Sequence, residues 1–100
     1  MESSYFDKIP ETELIEKFNS PTTSREESSA ILAYLLEKYQ AFLADQCRRY
    51  FSNSTFINFE DILQECALTF IDVLHSYDPK RGRLTTALVP YLQHTFSDYV

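Results

Sequence analysis

The stretch NFEDILQECALTFIDVLHSY, residues 58–77, decides the fold class, because its apolar residues recur with the period of an α-helix. Asn58 suits the N-cap position, and Glu60 and Asp61 follow in the first turn, where carboxylates interact favourably with the helix dipole. One broad face of the helix holds Ile62, Leu63, Cys66, Ala67, Phe70, Val73, Leu74 and Tyr77. The stretch therefore predicts a helix with one buried side, which favours an all-α domain.

The opposite face of this helix is acidic and contains one leucine. Leu68 lies within about 60° of Asp61, Glu65 and Asp72 on a helical wheel. The other residues of this face and its flank are Gln64, Ile71 and His75. Residues 59–77 contain four acids and no lysine or arginine, so i,i+4 ion pairs do not explain the cluster. The face is either a solvated surface with one stray leucine or a docking surface for a basic protein, and we favour the second.

A short helix precedes the main part of the chain. Residues 11–19 predict this helix, and Ser20-Pro21 ends it because the residue before a proline avoids the α region. A polar connector follows. We therefore divide the chain into an N-terminal helix with its connector, residues 1–23, and a main helical domain, residues 24–100.

A long helix begins the main domain. Ser24 and Glu27 have the spacing of a capping box, and the helix is expected to continue to about Phe51. Its predicted buried stripe is Leu32, Leu36, Tyr39, Leu43, Cys47 and Tyr50. The polar residues 52–55 are expected to end the helix, because their side chains compete for backbone hydrogen bonds.

A turn and a last helix complete the pattern. Residues 78–82 contain proline and glycine at turn spacing. The last helix is expected to begin near Thr85 and to bury Leu88, Leu92, Thr95, Phe96 and Tyr99. It has no terminating signal before Val100, so the domain is expected to continue beyond that residue.

The composition narrows the function classes. The chain has 100 residues, 9 Lys+Arg against 15 Asp+Glu, a formal net charge of −6, and one glycine. One glycine is too few for a turn-rich all-β fold or a glycine-rich phosphate loop. No apolar run approaches the roughly 18–20 residues of a membrane span, and the N-terminus lacks the parts of a signal peptide. We expect a cytoplasmic helical protein without a membrane partner, and the acidity argues against binding DNA unaided.

No catalytic or metal-binding pattern is present in the sequence. Cys47 and Cys66 fall on predicted core faces and are expected to form a packed thiol pair, since no CxxC or Cys/His spacing accompanies them. His75 and His94 lie outside any HExxH pattern and are expected on the surface. The acidic face has no nucleophile, oxyanion donor or cofactor loop beside it. The sequence thus predicts no enzyme, no cofactor and no metal.

Basic and aromatic residues follow the acidic helix. Lys80, Arg81 and Arg83 can hold phosphates, and Tyr91 can stack on an unpaired base. The alternative is that three cations in a turn are only solvated and that the later aromatic residues belong to the core. The residues alone favour this alternative.

Three motifs, in this order, resemble region 2 of bacterial sigma factors. They are CRRY (47–50), FEDILQE (59–65) and YDPKRG (77–82). The family has A-[RK]-R-Y, F-x-D-L-[IV]-Q-E-G and F-D-P-x-[RK]-G at nearly the same intervals. LTTA (84–87) follows in the place of the family's F-S-T-Y. The likeness covers about residues 28–100.

The resemblance implies an all-α bundle of three to four helices, of the sigma factor region 2 type, that binds core RNA polymerase. In sigma factors the Q-E helix docks on a basic coiled coil of the polymerase β′ subunit. Carried over to this chain, the polymerase-binding residues are Asp61, Gln64, Glu65, Leu68, Ile71 and Asp72. Such a partner accounts for a leucine inside an acidic face.

The resemblance also implies a role at promoter DNA. In the family the next helix captures the non-template strand of the −10 element, with polymerase present, and so opens the duplex. The matching DNA-binding residues here are Lys80, Arg81, Arg83, Tyr91 and His94. The polymerase performs the catalysis, and this domain supplies binding energy for strand separation.

Departures from the family's pattern leave alternatives open. Cys66 and Thr69 stand where many members have glycine, and Pro90 and Tyr91 replace an aromatic pair linked to melting. Our first hypothesis is that the chain is the N-terminal part of a full sigma factor of an alternative or mobile-element type. The alternatives are a polymerase-binding module that does not melt promoters and one half of a split sigma factor. A second sigma-like subunit and an anti-sigma factor are further candidate partners.

Overall fold

The computed structural model describes residues 3–51, 58–78, 80 and 82–99, with the side chains of residues 3 and 4 left aside. These residues form five helices: α1 (Ser3–Asp7), α2 (Glu11–Asn19), α3 (Arg25–Tyr50), α4 (Phe59–Ser76) and α5 (Leu84–Tyr99). The all-α class is confirmed, and the described ranges contain no strand. The predicted break at 52–55 lies outside the described residues. Among the described helices, none combines the length and the apolar character needed to cross a membrane.

The chain divides into two compact units, one that ends at Lys38 and one that begins at Tyr39. Helix α3 contributes its first part to the first unit and the rest to the second. The domain boundary predicted between residues 23 and 24 stays a prediction.

The first unit consists of α1, α2 and the start of α3. Its buried side chains are Phe6, Leu14, Ile15, Phe18, Ile31 and Leu35. Lys38 Nζ lies 2.8 Å from Glu11 Oε2, and the Ser28 hydroxyl donates to the Phe18 carbonyl oxygen at 3.3 Å. These contacts connect α2 to α3 across the polar connector. The bounds of α2 agree with the prediction, whereas α1 is absent from it because five residues carry too little periodicity to recognise.

Tyr34 connects α3 to α1. Its hydroxyl donates to a carboxylate oxygen of Asp7, and its ring lies 5.3 Å from the ring of Phe6. The hydrogen bond to Asp7 raises the pKa of Tyr34 to about 12. The phenol therefore stays protonated over the physiological pH range and remains a donor to α1.

Helix α3 begins as predicted but buries a different stripe. The Glu27 amide donates to Ser24 Oγ at 3.1 Å, which is one half of the expected capping box. The buried residues of α3 are Ile31, Leu35, Leu43, Ala44 and Cys47. Of the predicted stripe, only Leu43 and Cys47 are buried, while Leu32, Leu36 and Tyr39 are half-buried and Tyr50 is 47% exposed. The prediction is wrong here because it assumed one partner surface along a helix that contributes to two units.

The core of the second unit lies between α4 and α5 and agrees closely with the sequence. In α4 the buried residues are Ile62, Cys66, Phe70, Val73 and Leu74, and in α5 they are Leu84, Leu88, Leu92 and Phe96. The Tyr39 ring of α3 lies 5.5 Å from Phe70. The hydroxyls of Thr69 and Thr95 are 2.6 Å apart and connect the two helices. Most residues of the predicted faces of α4 and α5 are buried, whereas Leu63, Ala67, Tyr77, Thr95 and Tyr99 are only half-buried.

An aromatic cluster closes one end of this unit. The rings of Tyr50 and Phe51 lie 5.0 and 5.4 Å from Phe96, and Phe51 also approaches Tyr99 at 6.3 Å. The guanidinium of Arg48 lies 5.2 Å from the centre of the Phe59 ring. Tyr50 thus packs against neighbouring rings while it remains 47% exposed.

Cys47 and Cys66 are both free and fully buried, as expected of a core thiol pair. Burial raises the pKa of Cys47, and burial together with the proximity of Cys47 raises that of Cys66 to about 12. Because the thiol pKa is higher in the folded chain than in the unfolded chain, the folded state keeps its full stability below the unfolded pKa of about 8.5. This stability decreases as the pH rises from there towards the folded pKa.

We predict that neither thiol reacts rapidly with Ellman's reagent at pH 8 in the folded protein. Reaction needs the thiolate and access to solvent, so the rate should be at least about a hundredfold below that of the urea-unfolded chain. Absorbance at 412 nm measures the reaction. Cys47→Ala should leave a single, equally protected thiol. Two equivalents reacting at the unfolded rate would contradict the buried pair.

Candidate functional site

The acidic face is built on α4, and the start of this helix is capped by Asn58. The Asn58 side-chain oxygen accepts a hydrogen bond from the Asp61 amide at 3.2 Å. Glu60 and Asp61 lie in the first turn, where their charges complement the helix dipole. The cap fixes where α4 begins and therefore the position of every residue on its outer face.

Most of the predicted polymerase-binding residues are exposed together on this face. Asp61, Gln64, Glu65 and Asp72 are exposed, and the Leu68 side chain is 58% exposed. Ile71 is half-buried at the flank. Large apolar side chains with this much exposure are few among the described residues, and the others are Tyr5, Tyr50 and Tyr91.

A groove between α4 and α5 runs alongside part of this face. It has a volume of about 430 Å³ and contains Glu65, Leu68 and Asp72 of the prediction. Its remaining lining residues are Thr69, Thr95, Asp98 and Tyr99. The acidic surface therefore continues from α4 onto α5 through Asp98. Asp61 and Gln64 lie outside the groove, towards the start of α4.

The sequence prediction did not include Thr95, Asp98 or Tyr99 in a site. The sequence predicts Thr95 and Tyr99 in the core, whereas both are only half-buried. Asp98 belongs to the acidic surface because the Thr69–Thr95 hydrogen bond holds the part of α5 that contains Asp98 beside α4. A helical wheel of a single helix does not show which residues of a neighbouring helix lie beside it.

A second depression lies where α4 leads into α5. It has a volume of about 280 Å³, and its lining includes Tyr77, Asp78, Arg83, Thr86, Ala87 and Tyr91. Tyr91 is 56% exposed, and Arg83 is exposed beside it. A cation and aromatic rings that surround one concave surface are suited to an unpaired base and its phosphate.

The turn before α5 is fixed by local hydrogen bonds. The Tyr77 hydroxyl donates to the Gly82 carbonyl oxygen, and the Lys80 amide donates to Asp78 Oδ1 at 3.0 Å. Gly82 has a φ of 138°, a region that favours glycine because other residues are strained there. The turn thereby holds Arg83 at the edge of the depression.

The predicted DNA-binding residues are only partly brought together. Arg83 and Tyr91 line the depression, whereas Lys80 is exposed on the preceding turn. Arg81 lies outside the described residues. His94 is exposed one turn further along α5, with its Nε2 at 3.5 Å from Asp98 Oδ2. This contact is an ion pair only when the imidazole is protonated.

A family model described as sigma-70 region 2 matches residues 35–100. The chain belongs to this family. Sigma-70 region 2 is a non-catalytic helical domain of transcription initiation factors, and the family interacts with RNA polymerase and promoter DNA. No curated protein and no solved structure matches the chain. Within the described part of this sigma-type chain, no three His, Cys, Asp or Glu residues are grouped so as to hold a metal.

We predict that the Thr69–Thr95 hydrogen bond stabilises the α4–α5 pair by about 1 kcal/mol, the usual net value of such a bond. Thr69→Val and Thr95→Val should each lower the free energy of unfolding in urea. A double-mutant cycle isolates their interaction from the effects of each valine alone. A coupling energy of zero would show that the two hydroxyls do not depend on each other.

Proposed function

We propose that the chain acts as a sigma-like initiation factor that docks on the β′ coiled coil of RNA polymerase and helps recognise and open the −10 promoter element. The observation that carries the docking half is the exposed Leu68 among the carboxylates of Asp61, Glu65 and Asp72. Family membership supports a polymerase partner in general terms.

The charges of α4 favour a basic protein as the docking partner. Its four acids face solvent without a lysine or arginine on the same helix, so the face carries an unbalanced negative potential. A basic helix neutralises this potential, and an apolar side chain at the centre of the contact adds burial that charges alone do not supply. Leu68 provides the apolar contact, and Gln64 provides a side-chain amide beside it.

We predict that Gln64→Ala and Leu68→Asp weaken binding to an isolated β′ coiled-coil fragment. Truncation of an interface residue that matters costs more than about 1 kcal/mol, so we expect at least about a fivefold rise in Kd. Leu68→Asp should have the larger effect, because it removes the apolar contact and places a charge in the interface. Isothermal titration calorimetry measures both Kd values.

Matched controls on exposed residues away from the face are Gln93→Ala and Ala41→Asp. Gln93→Ala repeats the truncation of a glutamine, and Ala41→Asp adds the same charge at an exposed helix position without removing a leucine. Both should bind like the native chain. If Gln64→Ala and Leu68→Asp also bind like the native chain, docking through this face is wrong.

The depression between α4 and α5 supports the DNA half of the proposal. Tyr91 presents an exposed ring for stacking, and Arg83 presents a cation to the phosphate backbone. Unstacking a base costs a few kcal/mol, and contacts at such a site repay that cost. The net charge of −6 opposes DNA binding by the free chain, so strand capture is expected only with polymerase present.

We predict that Arg83→Ala and Tyr91→Ala reduce promoter opening by the assembled holoenzyme. Loss of one stacking contact costs about 1–3 kcal/mol, which corresponds to at least about a fivefold weaker capture of the single strand. Permanganate reactivity of unpaired thymines measures the open duplex. The matched controls are Arg25→Ala and Tyr5→Ala, which alter exposed residues of the first unit.

The same pair of experiments separates the alternatives. If Leu68→Asp weakens docking while Arg83→Ala and Tyr91→Ala open promoters like the native chain, the protein is a polymerase-binding module that does not melt DNA. A native chain that opens promoters only after a second sigma-like subunit is added would be one half of a split factor.

A further inference from the structure

The groove between α4 and α5 receives carboxylates from both helices. The hydroxyls of Thr69 and Thr95, 2.6 Å apart, mark the point where the two helices meet. Glu65 precedes Thr69 by about one helical turn, and Asp98 follows Thr95 by nearly one turn. Because the helices run antiparallel, these two steps lead towards the same end of the groove, which both residues line. Each helix therefore contributes one carboxylate to this end.

The two threonines of the groove accept hydrogen bonds from a ligand but have no proton left to donate. Each hydroxyl lies 3.0 Å from the carbonyl oxygen four residues earlier in its own helix, in addition to the contact between the hydroxyls. Two hydroxyl protons are thus shared among three contacts. Ionised carboxylates are acceptors as well. Apart from the phenol of Tyr99, the polar side chains of this lining therefore favour a ligand that donates hydrogen bonds.

Apolar surface borders the same groove. Leu68 is 58% exposed, and the half-buried Tyr99 ring lies 6.3 Å from the ring of Phe51. An arginine side chain has a hydrocarbon stem for such contacts, and its planar guanidinium carries five N–H donors and stacks on aromatic rings. Lysine has no planar group to place against the ring. The groove is therefore better suited to arginine than to lysine.

Asp98 also has a neighbour on its own helix. His94 Nε2 lies 3.5 Å from Asp98 Oδ2, and the two side chains are 80% and 72% exposed. An exposed pair of this kind contributes little, and this one is an ion pair only when the imidazole is protonated. The contact with His94 therefore does not prevent Asp98 from binding a cation of a partner protein.

We infer that this end of the groove holds the guanidinium of an arginine from the basic docking partner, between Glu65 of α4 and Asp98 of α5. The inference rests on the proposed docking on the polymerase, and it adds the second helix to the docking surface. Asp98 and Tyr99 are then specificity-determining residues, because they favour a partner that has an arginine at this point of the contact.

The first test measures binding of the isolated β′ coiled-coil fragment to the full chain by isothermal titration calorimetry. We expect Asp98→Asn to raise the Kd by about three- to tenfold at about 0.05 M salt, and by less at about 0.5 M salt, where charges are screened. Asp45→Asn removes the same charge from α3, outside the groove, and should bind like the native chain. Thermal unfolding followed by circular dichroism checks that both variants are folded.

A second test identifies the arginine. Each arginine of the fragment is changed to lysine in turn, and every fragment is titrated against the native chain and against Asp98→Asn. One change should weaken binding to the native chain by about threefold or more and have little effect on Asp98→Asn, because the contact is already lost there. Such non-additivity assigns the arginine to the groove.

Native-like binding by Asp98→Asn, or additive effects for every arginine, overturns this inference and leaves docking through Leu68 intact. If Leu68→Asp and Gln64→Ala also bind like the native chain, docking through α4 is itself wrong. The titration of Leu68→Asp therefore distinguishes the failure of this inference from the failure of the proposed function.

Discussion

The packing of α4 against its neighbours is the constraint on which the rest of the second unit depends. Once Cys66, Phe70 and Val73 are buried, the rotation of the helix about its axis is fixed. Leu68 then points away from the core, since two residues correspond to about 200° of rotation from Phe70. The exposed leucine among carboxylates is thus a direct consequence of what the core contains. Any change that rotates α4 disturbs the acidic face and the core together.

The two candidate surfaces, the acidic groove and the depression near the turn, lie at different positions on the same pair of helices, α4 and α5. The residues that line the acidic groove lie between positions 65 and 72 and between 95 and 99. Those that line the depression near the turn lie between 73 and 78 and between 82 and 91. The two helices run antiparallel, so the C-terminal half of α5 adjoins the acidic part of α4. Its N-terminal half carries Arg83 and Tyr91. In the proposed function, a basic protein and a nucleic acid strand therefore bind at different ends of the same helix pair.

The sequence predicted most where one helix faces one partner. The buried and exposed faces of α4 follow from its period alone, and the same holds for Leu88, Leu92 and Phe96 of α5. The sequence predicted least where contacts with other helices decide which residues are buried or share a surface. The stripe on α3 was wrong because this helix contributes to two units, and Asp98 joined the acidic surface only through the contact between α4 and α5. Which residues share a surface depends on pairing between helices, and a single-helix pattern does not contain that information.

The acidity of the chain restricts how DNA approaches it. In the proposed arrangement, Glu65, Asp72 and Asp98 repel phosphates along the groove, and Asp98 also lies beside His94, the predicted DNA contact furthest along α5. Among the described residues of this helix pair and its turn, the contacts that attract a strand then lie near Lys80, Arg83 and Tyr91. A basic helix seated on α4 would neutralise these carboxylates and so lower the repulsion along the rest of the domain. In this proposal, polymerase docking and strand capture would be coupled through charge, with the docking step first, even though the groove and the depression share no lining residue.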